Sequence, residues 1–183
     1  MAMVILGLGC GHVVLLPPQP ELETVLRLRT GRYQPIHLGN LNLGPEFTEK
    51  EDRRVAIRGG IGEASAISSA YSRILMDTLG QNLQAAGLVD PVSPYGLEGT
   101  LMALEIHGGI KKAECALTVH WVLRRAGAVL YDRQLTVTET WGGRFGAQQI
   151  PMAVGHELEI FQIMAATLLD DREFMSVLSQ VGA

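Results

Sequence analysis

Two periodicities divide this chain. From residue 114 to 138, apolar side chains fall on alternate positions. Cys115, Leu117, Val119, Trp121 and Leu123 oppose Glu114, Thr118 and His120. Val129, Tyr131, Leu135 and Val137 oppose Asp132, Gln134, Thr136 and Thr138 in the same way. That period of two predicts strands with one buried face, and the runs meet around Gly127 as a hairpin. Elsewhere the period lengthens. Ile67, Ala70, Tyr71, Ile74, Leu75, Thr78, Leu79 and Leu83 recur at three- and four-residue steps, the stripe of an amphipathic helix. Ser65, Ser68 and Ser69 are its candidate caps, and Gly87 is its left-handed terminator, with Leu88 folding back before Asp90-Pro91. A second helix opens at Pro151 and buries Val154, Leu158, Phe161, Ala165 and Leu168. It breaks at Asp170-Asp171, and a short last helix turns Phe174, Val177 and Leu178 inward.

The remaining segments are shorter. "PPQPELE" reads as a stiff extended connector. "TVLRLR" alternates and predicts a strand; "PIHLGNLNL" predicts another, its register disturbed at Gly39-Asn40. A polar loop, "GPEFTEKEDRR", leads into the strand "RVAIRGG", and "YGLEGTLMALEIHG" predicts a longer one. The order is strands, helix, three longer strands, then helices. It predicts an α+β two-layer sandwich, with a mostly antiparallel, twisted sheet of about four or five strands. Two main helices cover one face, and the polar alternate positions leave the other to solvent. Residues 1–20 form a leader or anchor, or else a first strand, with the proline-rich connector. Residues 21–183 form a single α+β domain.

Composition narrows the function more than the fold. A net charge of −4 argues against general nucleic-acid binding, which draws on many cations. Arg27, Arg29, Arg32, Lys50, Arg53, Arg54 and Arg58 make the first third basic, but Glu46, Glu49, Glu51 and Asp52 offset them into a solvated mixed surface. No stretch approaches the roughly 20 apolar residues that span a bilayer. The two cysteines, Cys10 and Cys115, give neither a zinc spacing nor a disulfide framework. Cys115 sits on the apolar side of its strand and reads as a small buried hydrophobe.

The opening "VILGLGCGH" admits more than one reading. As a dinucleotide fingerprint it fails, because His12 holds the third glycine's place and prolines follow where a helix must begin. As a lipoprotein signal it offers a short apolar stretch and Gly9 before Cys10, the residue that would be acylated. As a core element, residues 3–8 form a first strand. Reactive clusters are missing from the remainder. The five histidines are scattered, and "HELE" at 156–159 lacks the second histidine of H-E-x-x-H, so neither a metal nor a cofactor is expected and His156 reads as a helical surface residue. "RGGIGEAS" lacks the phosphate-loop lysine and reads as a flexible lead into the helix. His120 lies on the polar face of its strand. Trp141, Arg144 and Phe145, set among glycines, form the candidate partner-binding cluster, because tryptophan and arginine are enriched at binding hot spots. The alternative for Trp141 and Phe145 is that they cap the end of the sheet core. Long sheet edges are a second docking surface, by strand addition.

Taken together, Cys10 after a short apolar leader, the proline-rich connector, "RRVAIRGG", "SRILMDTLGQNLQAAGLV", "YGLEGTLMALEI", the polar-faced hairpin and the helical tail resemble small bacterial envelope lipoproteins. The organisation is similar to that of auxiliary lipoproteins of ABC-type transport systems, over most of residues 10–178 and in element order and spacing. The resemblance implies a non-enzymatic periplasmic domain anchored through lipidation of Cys10. It implies protein partners of the envelope, with lipid as a second class and self-association left open, in a transport or outer-membrane assembly system. The alternative is a cytoplasmic interaction module without an anchor.

Overall fold

The computed structural model describes residues 5–6, 12–14, 19–58, 64–67, 69–109, 111–143 and 149–179. In chain order these form β1 (Ile5–Leu6), β2 (His12–Val14), α1 (Leu22–Thr30), β3 (His37–Leu43), β4 (Arg54–Arg58) and β5 (Ala64–Ile67). Then come α2 (Tyr71–Ala86), β6 (Tyr95–His107), β7 (Lys112–Arg125), β8 (Ala128–Gly142), α3 (Gln149–Asp170) and α4 (Arg172–Ser179). The class is α+β, as the periodicities predict, with helices layered on one face of an open sheet.

The sheet is built outward from its hairpin. β7 pairs antiparallel with β8, and Arg125 faces Ala128 across a two-residue turn, Ala126-Gly127. Both turn residues have positive φ, 48° and 87°, the geometry that matches the twist of a hairpin. β6 pairs antiparallel with the other side of β7. Its register slips between Leu101 and Ala103, leaving Met102 as an extra residue. Ahead of the slip Leu97 and Leu101 point into the core, and beyond it Leu104 and Ile106 do so. The bulge therefore moves the inward set from odd to even positions while the strand keeps its apolar face buried.

Both β3 and β4 lie parallel to β6 along its remaining edge, one after the other. β3 ends at Leu43 opposite Leu101, and β4 meets β6 at Ile57 opposite Ile106. The sheet is thus mixed, and residues 102–105 fall in the gap between the two partners. β5, β2 and β1 extend it beyond β4. Ile5–Leu6 pairs antiparallel with β2, so both described pieces of the opening segment are strand, while Cys10 lies outside the described residues. At the opposite end β8 is last in the strand order, and its inward positions include two charged residues, Arg133 and Glu139.

The core lies between the inward face and the helices. Leu117, Val119, Trp121 and Leu123 of β7 meet Leu75 and Leu79 of α2 and Phe161, Met164 and Leu168 of α3 in one buried cluster. Among the described residues no element packs on the other face.

Three local expectations are corrected. "TVLRLR" is helical. Thr24, Val25 and Leu28, at helical spacing, are its buried positions, while Leu22 and Leu26 are 70% and 52% exposed. Its arginines reinforce this, since Arg27 Nη1 donates to Leu169 O at 2.9 Å and pairs with Asp170, and Arg29 donates to Ala85 O at 2.6 Å. Cations are thereby placed on the carbonyl ends of α3 and α2, where the helix dipoles are negative. The cap of α2 also differs from the three serines expected. Ala70 precedes the helix, and Asp52, twenty residues back, accepts from Ser72 N at 2.8 Å and Ser72 Oγ at 2.7 Å. Finally, the helix starts at Tyr71, and residues 64–67 of its expected lead are strand β5. The C-terminal expectation stands: Gly87 has φ 78°, and Leu88 N returns to Leu83 O at 2.8 Å.

Candidate functional site

Parity along β8 decides what the end of the sheet presents. Tyr131, Arg133, Leu135, Val137, Glu139 and Trp141 all point toward the helices, opposite the inward residues of β7. Glu139 meets α3 there. His156, in the second turn of that helix, places Nδ1 2.6 Å from Glu139 Oε1 and 2.9 Å from Glu159 Oε2. Trp141 lies flat on the imidazole, with ring centroids 4.3 Å apart and planes 16° from parallel. The side chains of His156 and Glu139 are 24% and 17% exposed, and that of Glu159 is 57% exposed. Burial, and then the carboxyl of Glu159 beside it, push Glu139 above the usual carboxylate range, against the pull of His156. Among the described residues, neither carboxylate pairs with a lysine or arginine.

Trp141 of the expected partner-binding cluster is therefore half-buried against the core, while Arg144 and Phe145 lie outside the described residues. Sequence reasoning missed Glu139. Its signal was a charge on the apolar parity of a strand, and the same count marks Arg133. That guanidinium reaches Asp171 Oδ2 at 3.1 Å and Glu173 Oε2 at 3.3 Å. Asp171 in turn caps α4, accepting from Glu173 N at 2.9 Å and Phe174 N at 3.1 Å. Burial acts to raise the Asp171 carboxyl, but these backbone donors and Arg133 outweigh it and hold it low.

A further inward ionisable side chain lies deeper. Glu157 is fully buried, and Tyr71 Oη donates to its Oε1 at 2.7 Å. Burial pushes its carboxyl up to about 8, although the tyrosine's hydrogen bond acts the other way. Burial and the neighbouring Glu157 also raise the Tyr71 hydroxyl and the Cys115 thiol, and Cys115 is free and fully buried as its parity predicts. Above this group, at the gap on the β6 edge, is a cavity of about 540 Å³ whose walls include Phe47, Lys50, Met102 and Leu104.

The open face of the sheet carries a different chemistry. Thr118 and Thr136 share a hydrogen bond at 3.0 Å, and His120 Nε2 lies 2.6 Å from Asp132 Oδ1. Glu98, Gln134 and Thr138 are exposed alongside. Among the described residues this broad, polar surface of paired strands is uncovered.

No protein-family model matches the sequence, and no curated protein does. The fold is nonetheless found among solved structures. It is similar to protein XCC0632 from Xanthomonas campestris, which bears the family name DUF330, at 11% identity and TM-score 0.65, covering 91% of this chain and 96% of that one. An uncharacterized protein matches at 10% identity and TM-score 0.58, over 87% of this chain and 96% of its own. A minor lipoprotein from Acinetobacter baumannii matches more loosely, at 12% identity and TM-score 0.45, over 82% and 98%. At such identities the likeness is one of fold.

Proposed function

We propose that this chain is a non-enzymatic cell-envelope domain, anchored through Cys10, that binds partner proteins through the open face of its sheet. In this reading it serves as an auxiliary component of a transport or outer-membrane assembly system. The observation that carries the reading is the one-sided sheet. α2, α3 and α4 lie against one face, with α1 packed on α2, and the opposite face presents hydrogen-bonding threonines, His120–Asp132 and Gln134 on long paired strands. A rigid, solvated polar plane suits recognition of a partner's surface. The cysteine after a short apolar leader supports the envelope setting.

Two measurements test it. Protein isolated from membranes should begin at Cys10 and exceed the mass of residues 10–183 by the lipid added there, and Cys10→Ser should move the protein to the soluble fraction. A soluble product with unmodified Cys10 would overturn the anchor. Replacing Thr118 and Thr136 together by lysine should abolish co-purification with envelope partners while leaving the melting temperature within a few degrees. Co-purification that survives would place the partner surface elsewhere.

One observation favours a second reading, an interaction module without an anchor. Ile5–Leu6 and His12–Val14 pair with each other, and β2 continues onto β5. Deleting residues 1–12 separates the two readings, since a leader is lost without cost and a strand of the sheet is not.

A further inference from the structure

We propose that Glu139, His156 and Glu159 form a site for a divalent transition-metal cation of the zinc class, which clips α3 to the last strand of the sheet. This goes beyond partner binding and does not depend on it. Read linearly, "HELE" lacks a third ligand. The fold supplies one from β8, seventeen residues away, and the three donor atoms lie within 4.8 Å of one another. Imidazole nitrogen with two carboxylate oxygens is a donor set that suits zinc and its neighbours.

Proton accounting points to the same ligand. Nδ1 carries at most one hydrogen, yet two carboxylate oxygens lie within hydrogen-bonding distance of it. That hydrogen serves one of them at a time. Among the described residues, the other oxygen of Glu139, Oε2, is buried without a hydrogen-bond partner. A dication would be shared by all three donors at once and would offset the negative charge of half-buried Glu139 and of the more exposed Glu159 beside it. Trp141, stacked on the ring, fixes the imidazole plane so that Nδ1 faces both carboxylates. Glu159, the most exposed of the three, is the donor free to rotate inward as the bond to metal, about 2.0–2.2 Å, replaces the hydrogen bond. Binding would release the shared proton.

Calorimetric titration of the EDTA-stripped full chain with zinc chloride near neutral pH tests the site. The expected result is one saturable site of micromolar or tighter affinity, with a tryptophan emission change in step with the heat because Trp141 lies on the ligand. Glu159→Gln alters an exposed position, so its thermal melt should match the parent's while zinc affinity falls at least tenfold; His156→Gln, which also loses the stack on Trp141, should lower zinc affinity at least as much. Cobalt chloride should give a visible spectrum free of thiolate charge-transfer bands. Absence of saturable binding, a smaller loss in Glu159→Gln, or a thiolate band that puts the metal on a cysteine would each overturn the proposal.

Discussion

Glu157 shows how one side chain can make the stability of this protein depend on pH. The folded protein holds a proton there up to about pH 8, whereas the unfolded chain releases it near the ordinary glutamate value of about 4.3. The folded state thus binds more protons across that interval, and unfolding becomes easier as pH rises through it. The stabilisation is complete below the lower value and is lost by the upper one. Glu157→Gln keeps an acceptor for Tyr71 and cannot ionise. Its melting temperature is expected to fall much less than the parent's between about pH 5 and about pH 8.5, and to exceed it at the upper end. The difference is on the order of several kcal/mol, at about 1.4 kcal/mol per pKa unit. Calorimetry across that range checks this, and parallel curves for the two proteins would refute it.

The same contrast between local and distant causes governs the elements. The hairpin, the bulged strand at Gly39-Asn40, the glycine stop of α2 and the break at Asp170-Asp171 were legible because neighbours in sequence determine them. α1 was not. "LRLR" alternates, but the helix there is fixed by Val25 and Leu28 packing inward and by arginines that reach carbonyl groups 56 and 142 residues away. The cap of α2 was illegible for the same reason, because Asp52 comes from a preceding loop. Asp52→Ala should therefore cost about 1–2 kcal/mol, as lost caps do, and denaturant unfolding would measure it. The turn offers the opposite case. Ala126 holds a left-handed conformation that asparagine accepts more readily, so Ala126→Asn should raise stability by about 0.5–1 kcal/mol with no change in the slope of the unfolding curve. The functional cluster was half visible: Trp141 stood out by composition, whereas Glu139 required counting which face of β8 each residue occupies.

At the scale of the molecule, Cys115 reports on the whole fold. It lies on the inward face near the start of β7, fully buried, and its thiol is pushed upward by burial and by Glu157 and Glu139. Reactivity then requires exposure of the core rather than breathing of an edge. In a Cys10→Ser chain, labelling of Cys115 by a disulfide reagent should be as rare as global unfolding and should rise with denaturant along the global curve. Labelling that outpaces unfolding would show that the helical layer lifts from the sheet on its own.

Arg133 and Glu139, turned inward on β8, have a last consequence. A terminal strand of fifteen residues is a template on which another molecule could add its own backbone and start open-ended growth. An added strand would extend the apolar layer over both ions and strip away the water they retain. The rim is thus guarded against fusion by the charges that fasten it to α3 and α4.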